Sequence, residues 1–139
     1  MFLREFTMLP VRNAIATILT CFFVVGCSGE VNAPPLGTVT GKVTLDGKPV
    51  TNVTVNFESA NGQIAFGNTD PSGIYELKFR SGLKGAEVGM NKVRIETVLD
   101  APAPAGYKDP IPAKYNSRST LQMSVQPGKN THDFELTSK

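Results

Sequence analysis

The chain has 139 residues, a formal net charge of +2 at pH 7 and 40% hydrophobic residues. This length fits a single domain, and this apolar content excludes a disordered chain. The near balance of 14 basic and 12 acidic residues provides no basic stripe for nucleic acid, while one His, two Cys and no Trp leave little material for a metal or catalytic centre.

The first 26 residues are typical of a bacterial export signal. Arg4 and Arg12 provide a positive front, which Glu5 weakens, and an apolar run of twelve residues follows at positions 14–25. A run of this length is too short to span a bilayer, which requires roughly 18 apolar residues. We therefore expect the leader, residues 1–26, to be removed as a lipoprotein signal peptide.

The leader runs into Val24-Val25-Gly26-Cys27, which resembles the lipobox of bacterial lipoproteins. This resemblance implies cleavage before Cys27 and a diacylglycerol and an acyl chain on that residue. Two or three buried acyl chains hold a protein stably at a membrane, whereas one chain does not. Ser28 follows the Cys, and the lack of an Asp at this position favours the outer over the inner membrane. The alternatives are cleavage by the general signal peptidase, which gives a secreted protein, and a short membrane helix.

Residues 27–36 form the predicted tether between the lipid and the folded part. After Cys27 the sequence is SGEVNAPPL, in which small, polar and Pro residues predominate, so it cannot bury a core of its own. As an extended chain at about 3.1 Å per residue, it reaches roughly 30 Å. The other cysteine, Cys21, lies inside the leader, and we therefore expect no disulfide in the mature domain.

From Gly37 onward the hydrophobic period is two, which is typical of β-strands. Seven short strands are predicted, and no stretch has the period of an amphipathic helix. Alternation gives each sheet one dry face, and two such faces cover each other, so residues 37–139 are expected to form an all-β, antiparallel β-sandwich. The apolar residues of the seven strands are Val39, Val43 and Leu45; Val53, Val55 and Phe57; Ile64 and Phe66; Tyr75, Leu77 and Phe79; Val93 and Ile95; Leu121, Met123 and Val125; Phe134 and Leu136. The alternation is poorest in the third strand.

Turn residues separate these strands. Asp46-Gly47 and Asn61-Gly62 are typical of tight hairpins, because Gly accepts the positive φ that such turns need. The sequence Asp70-Pro71-Ser72-Gly73 matches a type I turn, and we expect the side chain of Asp70 to cap it. A further turn is predicted at residues 127–130.

Residues 100–116 contain four Pro and no period, which predicts a long loop. Loops of this length are usually functional or disordered. The first half is expected to be mobile, whereas Tyr107, Ile111 and Tyr115 are candidates to pin the second half across one end of the sandwich. A polar and aromatic contact patch is predicted here, made of Tyr107, Lys108, Lys114, Tyr115 and Arg118. The alternative is a solvated loop with a packed Tyr.

The run GTVTGKVTLDGKPVTNVTVNF, followed by TDPSGIYEL, resembles the carboxypeptidase regulatory-like domains, which are transthyretin-like (prealbumin-like) sandwiches. The resemblance extends over residues 37–136 and implies a seven-stranded fold and a non-catalytic accessory module. The IPAKYN stretch and the closing DFEL are similar to small envelope lipoproteins of planctomycete-type bacteria. The matching motif residues are Gly41, Val43, Gly47, Pro49, Val50, Val53, Val55 and Phe57, then Thr69, Asp70, Gly73 and Tyr75.

The residues provide no recognisable catalytic or metal-binding pattern. His132 is the one candidate base, but it shares the face of Phe134 and Leu136, so we interpret it as a rim residue whose ring contacts backbone. We expect a non-enzymatic, lipid-anchored module of the cell envelope, in the periplasm or at the cell surface, with no metal and no cofactor beyond the lipid. Its expected partners are the membrane and an envelope protein or glycan, but no nucleic acid. The alternative is a carbohydrate- or peptide-binding module that uses the loop at 100–118.

Overall fold

The computed structural model describes residues 32–139, and nearly all of their regular structure is β-strand. The predicted signal peptide, Cys27 and residues 28–31 of the predicted tether lie outside the described residues. Two 3₁₀ turns, Arg80–Gly82 and Ala113–Tyr115, occur in this part of the chain, where no helix has the length and hydropathy that a membrane crossing requires. The strands are β1 (Leu36–Leu45), β2 (Lys48–Pro49), β3 (Val53–Ser59), β4 (Ile64–Asn68), β5 (Ile74–Glu76), β6 (Lys78–Phe79), β7 (Ala86–Glu87), β8 (Gly89–Thr97), β9 (Gln122–Val125), β10 (Gly128–Thr131) and β11 (Phe134–Leu136).

The long strand β1 is the centre of a six-stranded sheet. Along one edge it pairs antiparallel with β7, β5 and β2, and along the other it pairs parallel with β10 and then β11. Strand β10 begins at Gly128, inside the stretch that the sequence predicts as a turn. The sequence of β10, GKNT, has no apolar alternation, so its extended form depends on the backbone groups that β1 presents to it.

The second sheet has five strands in the order β6-β4-β3-β8-β9, all paired antiparallel. The chain passes between the two sheets at Leu77, because β5 pairs with β1 whereas β6 pairs with β4. The backbone N–H of Leu77 still donates to the carbonyl of Val39 in β1, at 2.9 Å. One predicted strand over residues 75–80 is therefore shared by both sheets and forms a corner of the sandwich.

The core lies between the sheets, and the predicted inward residues of β1, β3, β5, β6, β8 and β11 fill it. Six residues differ from the simple pattern. Leu45, Leu121 and Met123 are half-buried at the margin of the core, Ile64 and Phe66 are exposed, and Ile111 of the long loop is buried. The buried hydrophobic residues are Val39, Val43, Val53, Val55, Phe57, Ala65, Tyr75, Leu77, Phe79, Ala86, Val93, Ile95, Ile111, Val125, Phe134 and Leu136.

Two of the predicted turns are confirmed in their chemistry, whereas residues 128–130 of the turn predicted at 127–130 belong to strand β10. Asp46 and Gly47 both have positive φ, 50° and 79°, as a type I′ hairpin requires. The Oδ1 atom of Asp70 accepts hydrogen bonds from the backbone N–H groups of Ser72 and Ile74, at 2.8 and 3.0 Å, so this side chain caps its own turn. The start of the sandwich is slightly earlier than predicted, because Leu36 already belongs to β1.

Candidate functional site

The two ends of the sandwich hold different segments. At one end, which we name the tether pole, β1 begins at Leu36 beside β7 and the start of β10. At the other end, the loop pole, β1 ends at Leu45, where it pairs with β2 and β11. The ten residues of β1 run from one pole to the other, a distance of about 30 Å for extended chain.

The long loop lies at the loop pole. Strand β8 ends at Thr97, and the next residue, Val98, donates its N–H to the carbonyl of Asn52 at 2.9 Å. Asp109 then ties the loop back to the sheet. Its Oδ1 atom accepts hydrogen bonds from Thr97 Oγ1 at 2.6 Å and from Ile111 N at 2.8 Å. The Asp109 carboxylate therefore holds the end of the exposed segment, residues 98–109, next to the point where that segment leaves β8.

The second half of the loop is pinned, as predicted, by Ile111 and Tyr115. Ile111 is 1% exposed, and its carbonyl accepts a hydrogen bond from Asn116 Nδ2 at 3.3 Å. Tyr115 is half-buried and packs against the core. Tyr107 does not contribute, because it is 37% exposed within the solvent-facing residues 100–110. The loop therefore combines a fixed half with an exposed half.

The predicted contact patch is divided by the structure. Lys114 lies over the ring of Tyr115, with Nζ 5.0 Å from the ring centre. Both residues contact the C-terminal segment: Lys114 Nζ donates to Thr137 Oγ1 at 3.1 Å and to the carbonyl of Lys139 at 2.6 Å, and Thr137 N donates to Tyr115 OH at 3.1 Å. The remaining members of the patch, all with exposed side chains, are Tyr107, Lys108 and Arg118.

Polar contacts also set the electrostatics of the loop pole. The hydrogen bonds with Thr137 hold the pKa of Tyr115 below its usual value, and the positive charge of Lys114 adds to this effect. On the neighbouring hairpin, hydrogen bonding by the side chain of Ser138, and then by its backbone N–H at 3.0 Å from Asp46 Oδ1, lowers the pKa of Asp46. A shallow cleft of about 460 Å³ opens beside this hairpin and is lined by Leu45, Asp46, Lys48, Pro49, Val50 and Thr51.

The single His of the chain has the structural contacts that we predicted. The Nε2 atom of His132 lies 3.1 Å from the carbonyl oxygen of Ser124, and its ring centre is 6.1 Å from that of Phe57. The backbone carbonyl of His132 accepts a hydrogen bond from Tyr75 OH at 2.6 Å. Burial raises the pKa of Tyr75, which keeps this hydroxyl protonated as a donor. The imidazole therefore belongs to the rim of the core.

A second surface, formed by β4, was missed by sequence reasoning. Ile64 and Phe66 point outward and are 42% and 48% exposed, while Ala65 and Gly67 face the core. The signal was present in the order large, small, large, small of the sequence IAFG. Two small residues at alternate positions cannot fill a core, whereas their large neighbours provide an apolar outer face.

The chain matches no protein-family model, no curated protein and no solved structure. Its function is therefore argued from its own two surfaces. The loop pole offers a fixed aromatic and cationic cluster beside an exposed loop, and β4 offers an aromatic side chain on an open sheet face. Neither of these two surfaces includes His132, whose ring contacts the backbone of Ser124.

Proposed function

We propose that the chain is a non-catalytic, lipid-anchored β-sandwich module of the cell envelope, with an interaction role. The observation that carries this proposal is the separation of the two poles. The chain that follows Cys27 joins the sandwich at Leu36, whereas the long loop is fixed by Asp109 and Ile111 at the opposite pole. A domain anchored through Cys27 would present that loop to partners beyond the membrane surface.

The sequence before the sandwich supports the anchor. Val24-Val25-Gly26-Cys27 follows an apolar run, and Ser28 favours the outer membrane. The structure adds one point, because the carbonyl of Pro35 already accepts a hydrogen bond from Val88 N at 2.8 Å. The free part of the tether is therefore shorter than residues 27–36, which would hold the tether pole within roughly 25–30 Å of the lipid.

The contacts of the titratable groups support a non-catalytic role. Three titratable groups, Asp46, Tyr75 and Tyr115, have a displaced pKa. Each displacement has a structural cause, either burial or a hydrogen bond to the C-terminal segment. His132, the usual kind of general base, contacts backbone at the rim of the core.

We also propose that the sandwich is of the seven-stranded, transthyretin-like type that the sequence motifs resemble. Counting β5 with β6 and β10 with β11 as interrupted strands, and leaving out the two-residue β2 and β7, reduces the eleven segments to seven. The turn residues of the motif support this, because Gly73 N donates to the carbonyl of Asp70 at 2.8 Å. The β1–β10–β11 pairing is parallel and is the feature to compare when a related structure is solved.

A second candidate function is carbohydrate or peptide binding through the loop at 100–118. The observation that favours it is the exposure of Tyr107 beside Lys108, which leaves an aromatic ring and an ammonium group free at the tip of the loop. Lys114 and Tyr115 would then serve as the fixed base of the loop, because both already contact Thr137.

Metabolic labelling tests the anchor. Radiolabelled palmitate should be incorporated into the wild-type chain expressed in a bacterial host and should be lost in Cys27→Ser, because the thiol is the proposed attachment point. Cys21→Ser is the matched control and should keep the label, since that residue lies within the leader. Equal labelling of wild type and Cys27→Ser would refute the anchor.

Photo-cross-linking in cells tests the orientation. A photoreactive amino acid in place of Tyr107 should give cross-linked species, whereas the same group in place of Asn61 should not. Asn61 is an exposed turn residue near the tether pole, where its Nδ2 donates to Glu87 Oε1. Cross-linking from Asn61 alone would show that the opposite pole meets the partner and would overturn the proposed presentation of the loop.

A further inference from the structure

The outward face of β4 is apolar where the neighbouring strand is polar. Strand β3 turns Thr54, Asn56 and Glu58 toward solvent, while β4, paired with it residue by residue, turns Ile64 and Phe66 outward. Folding gains little from large side chains that stay half in water. An apolar surface with a polar rim is a candidate binding surface when other features of a site lie beside it.

Phe66 forms one wall of a groove of about 350 Å³ where β4, β5 and β6 meet. The floor of the groove is the backbone of Gly67, which lies so close to β5 that an added Cβ would be 2.3 Å from the carbonyl oxygen of Glu76. The absence of a side chain at this position lets the backbones of β4 and β5 come together at the base of the groove. Its lining residues are Phe66, Gly67, Asn68, Glu76 and Lys78.

The polar groups of the groove are oriented by neighbours. Thr54 Oγ1 donates to Asn68 Oδ1 at 2.7 Å, which uses the amide oxygen and leaves the amide hydrogens as donors for a ligand. Lys84 Nζ pairs with Glu76 Oε1 at 2.9 Å, which holds that carboxylate at the edge of the groove. Side chains that are already oriented lose less conformational entropy when a ligand binds.

The cationic side chains around the groove differ in whether they form ion pairs. Arg94 is paired with Glu58 at 3.0 Å, and Lys84 is paired with Glu76. Lys78 makes no ion pair within the part of the chain that the structure describes, and it lies directly across from Phe66 in the β4–β6 register. A ligand that fits this arrangement carries a negative charge next to a face that stacks on an aromatic ring.

The size of the apolar surface argues for a small ligand. A Phe side chain can bury about 150–250 Å², so a half-exposed Phe66 offers on the order of 100 Å², and Ile64 offers a similar amount or less. A stable protein–protein interface needs about 800 Å² on each partner. The apolar surface is therefore much smaller than such an interface, and it matches one sugar ring.

We propose that the groove binds a single ring of an acidic polysaccharide. The C–H face of the ring, which carries partial positive charge, stacks on the negative face of Phe66. The ring hydroxyls are bound by Asn68 as donor and Glu76 as acceptor, and the acidic substituent pairs with Lys78. This assignment rests on the proposed interaction module and names a ligand for it, and the groove residues are separate from the loop pole.

Calorimetric titration of the full chain in detergent micelles tests the assignment, with tri-galacturonic acid as the acidic probe and maltotriose as the neutral one. The acidic trisaccharide should bind, and its binding should weaken as salt is raised. Phe66→Ala should weaken it at least tenfold, and Lys78→Ala at least fivefold. Ile74→Ala is the matched control, because Ile74 is equally exposed, at 50%, but lies on the other sheet, and it should bind like wild type.

Three results would overturn the assignment. They are unchanged binding by Phe66→Ala, an equal loss in Ile74→Ala, or equal affinity for the two trisaccharides. A shift of the wild-type chain to a dimer that Phe66→Ala abolishes, without sugar binding, would likewise overturn it in favour of self-association. Cys27→Ser and Tyr107→Ala should bind the acidic probe normally, so failure of the anchor or of the loop can be told apart from failure of the groove.

Discussion

Strands β3 and β4 are neighbours in one sheet, yet their sequences follow opposite rules. β3 buries Val53, Val55 and Phe57 and turns polar residues outward. β4 buries Ala65 and Gly67 and turns Ile64 and Phe66 outward. The two strands are paired residue by residue and face the same core, so pairing alone does not explain the difference.

The difference comes from what packs on the inward face of each strand. Phe57 packs against the aromatic ring of Phe134 on the opposite sheet, with ring centres 6.3 Å apart, so β3 faces a space that large side chains fill. Above Gly67 the backbone of β5 approaches directly, because the chain changes sheets at Leu77. A corner of the sandwich thus demands small inward residues, and the large side chains of β4 lie on its outward face.

The largest expected effect is the difference in unfolding free energy between alanine substitutions at Phe57 of β3 and Phe66 of β4. Phe57→Ala should cost about 3–5 kcal/mol of unfolding free energy, because a buried aromatic truncation leaves a cavity. Phe66→Ala, the same substitution on the outer face, should change stability by less than about 0.5 kcal/mol. Chemical denaturation of the full chain, followed by circular dichroism, measures both. A loss under about 1 kcal/mol for Phe57→Ala would show that Phe57 is outside the core.

Close approach at the corner can be tested at Gly67. A Cβ here would lie 2.3 Å from the carbonyl oxygen of Glu76, so Gly67→Ala must push β5 away. We expect a destabilisation of about 1–3 kcal/mol, which is typical of overpacking. Ile64→Ala on the same strand is the control, with an expected change below about 0.5 kcal/mol. If Gly67→Ala is as stable as wild type, then the small residues of β4 are not explained by the corner.

The smallest effect concerns Tyr75 of β5 and depends on pH. Burial raises the pKa of Tyr75 above its ordinary value near 10, so the folded state favours the protonated hydroxyl. The stability that it contributes should be complete below pH 10 and should fall as the pH rises further. Tyr75→Phe should lose about 1 kcal/mol at neutral pH, because the carbonyl of His132 loses its donor.

Unfolding measured between pH 8 and 11 for wild type and Tyr75→Phe checks this effect. The difference in stability between them should shrink as the pH rises above 10, since only the wild type has a hydroxyl to deprotonate at this site. A constant difference over this range would mean that Tyr75 titrates alike in the folded and unfolded states, which contradicts its burial.

Local chemistry made several features predictable. The alternation of Val53, Val55 and Phe57, the positive φ of Gly47 and the capping by Asp70 each depend on a residue and its immediate neighbours, and the structure agrees with them. Strand β10 was not predictable, because GKNT becomes extended through a parallel partner that is about ninety residues away. The split of the contact patch was not predictable for the same reason, since Lys114 and Tyr115 are held by contacts with Thr137, which is distant from them in sequence.

The sequence by itself determined that this domain is built of alternating strands and tight turns, because the periodicity of apolar residues and the φ preference of Gly act over two to four positions. Tertiary structure decided which end of the sandwich holds the long loop, that β4 turns Phe66 toward solvent, and that a groove opens over Gly67. These features depend on which strands meet across the core and how closely their backbones approach. Contacts of that kind join distant parts of the chain and leave little trace in any short stretch of it.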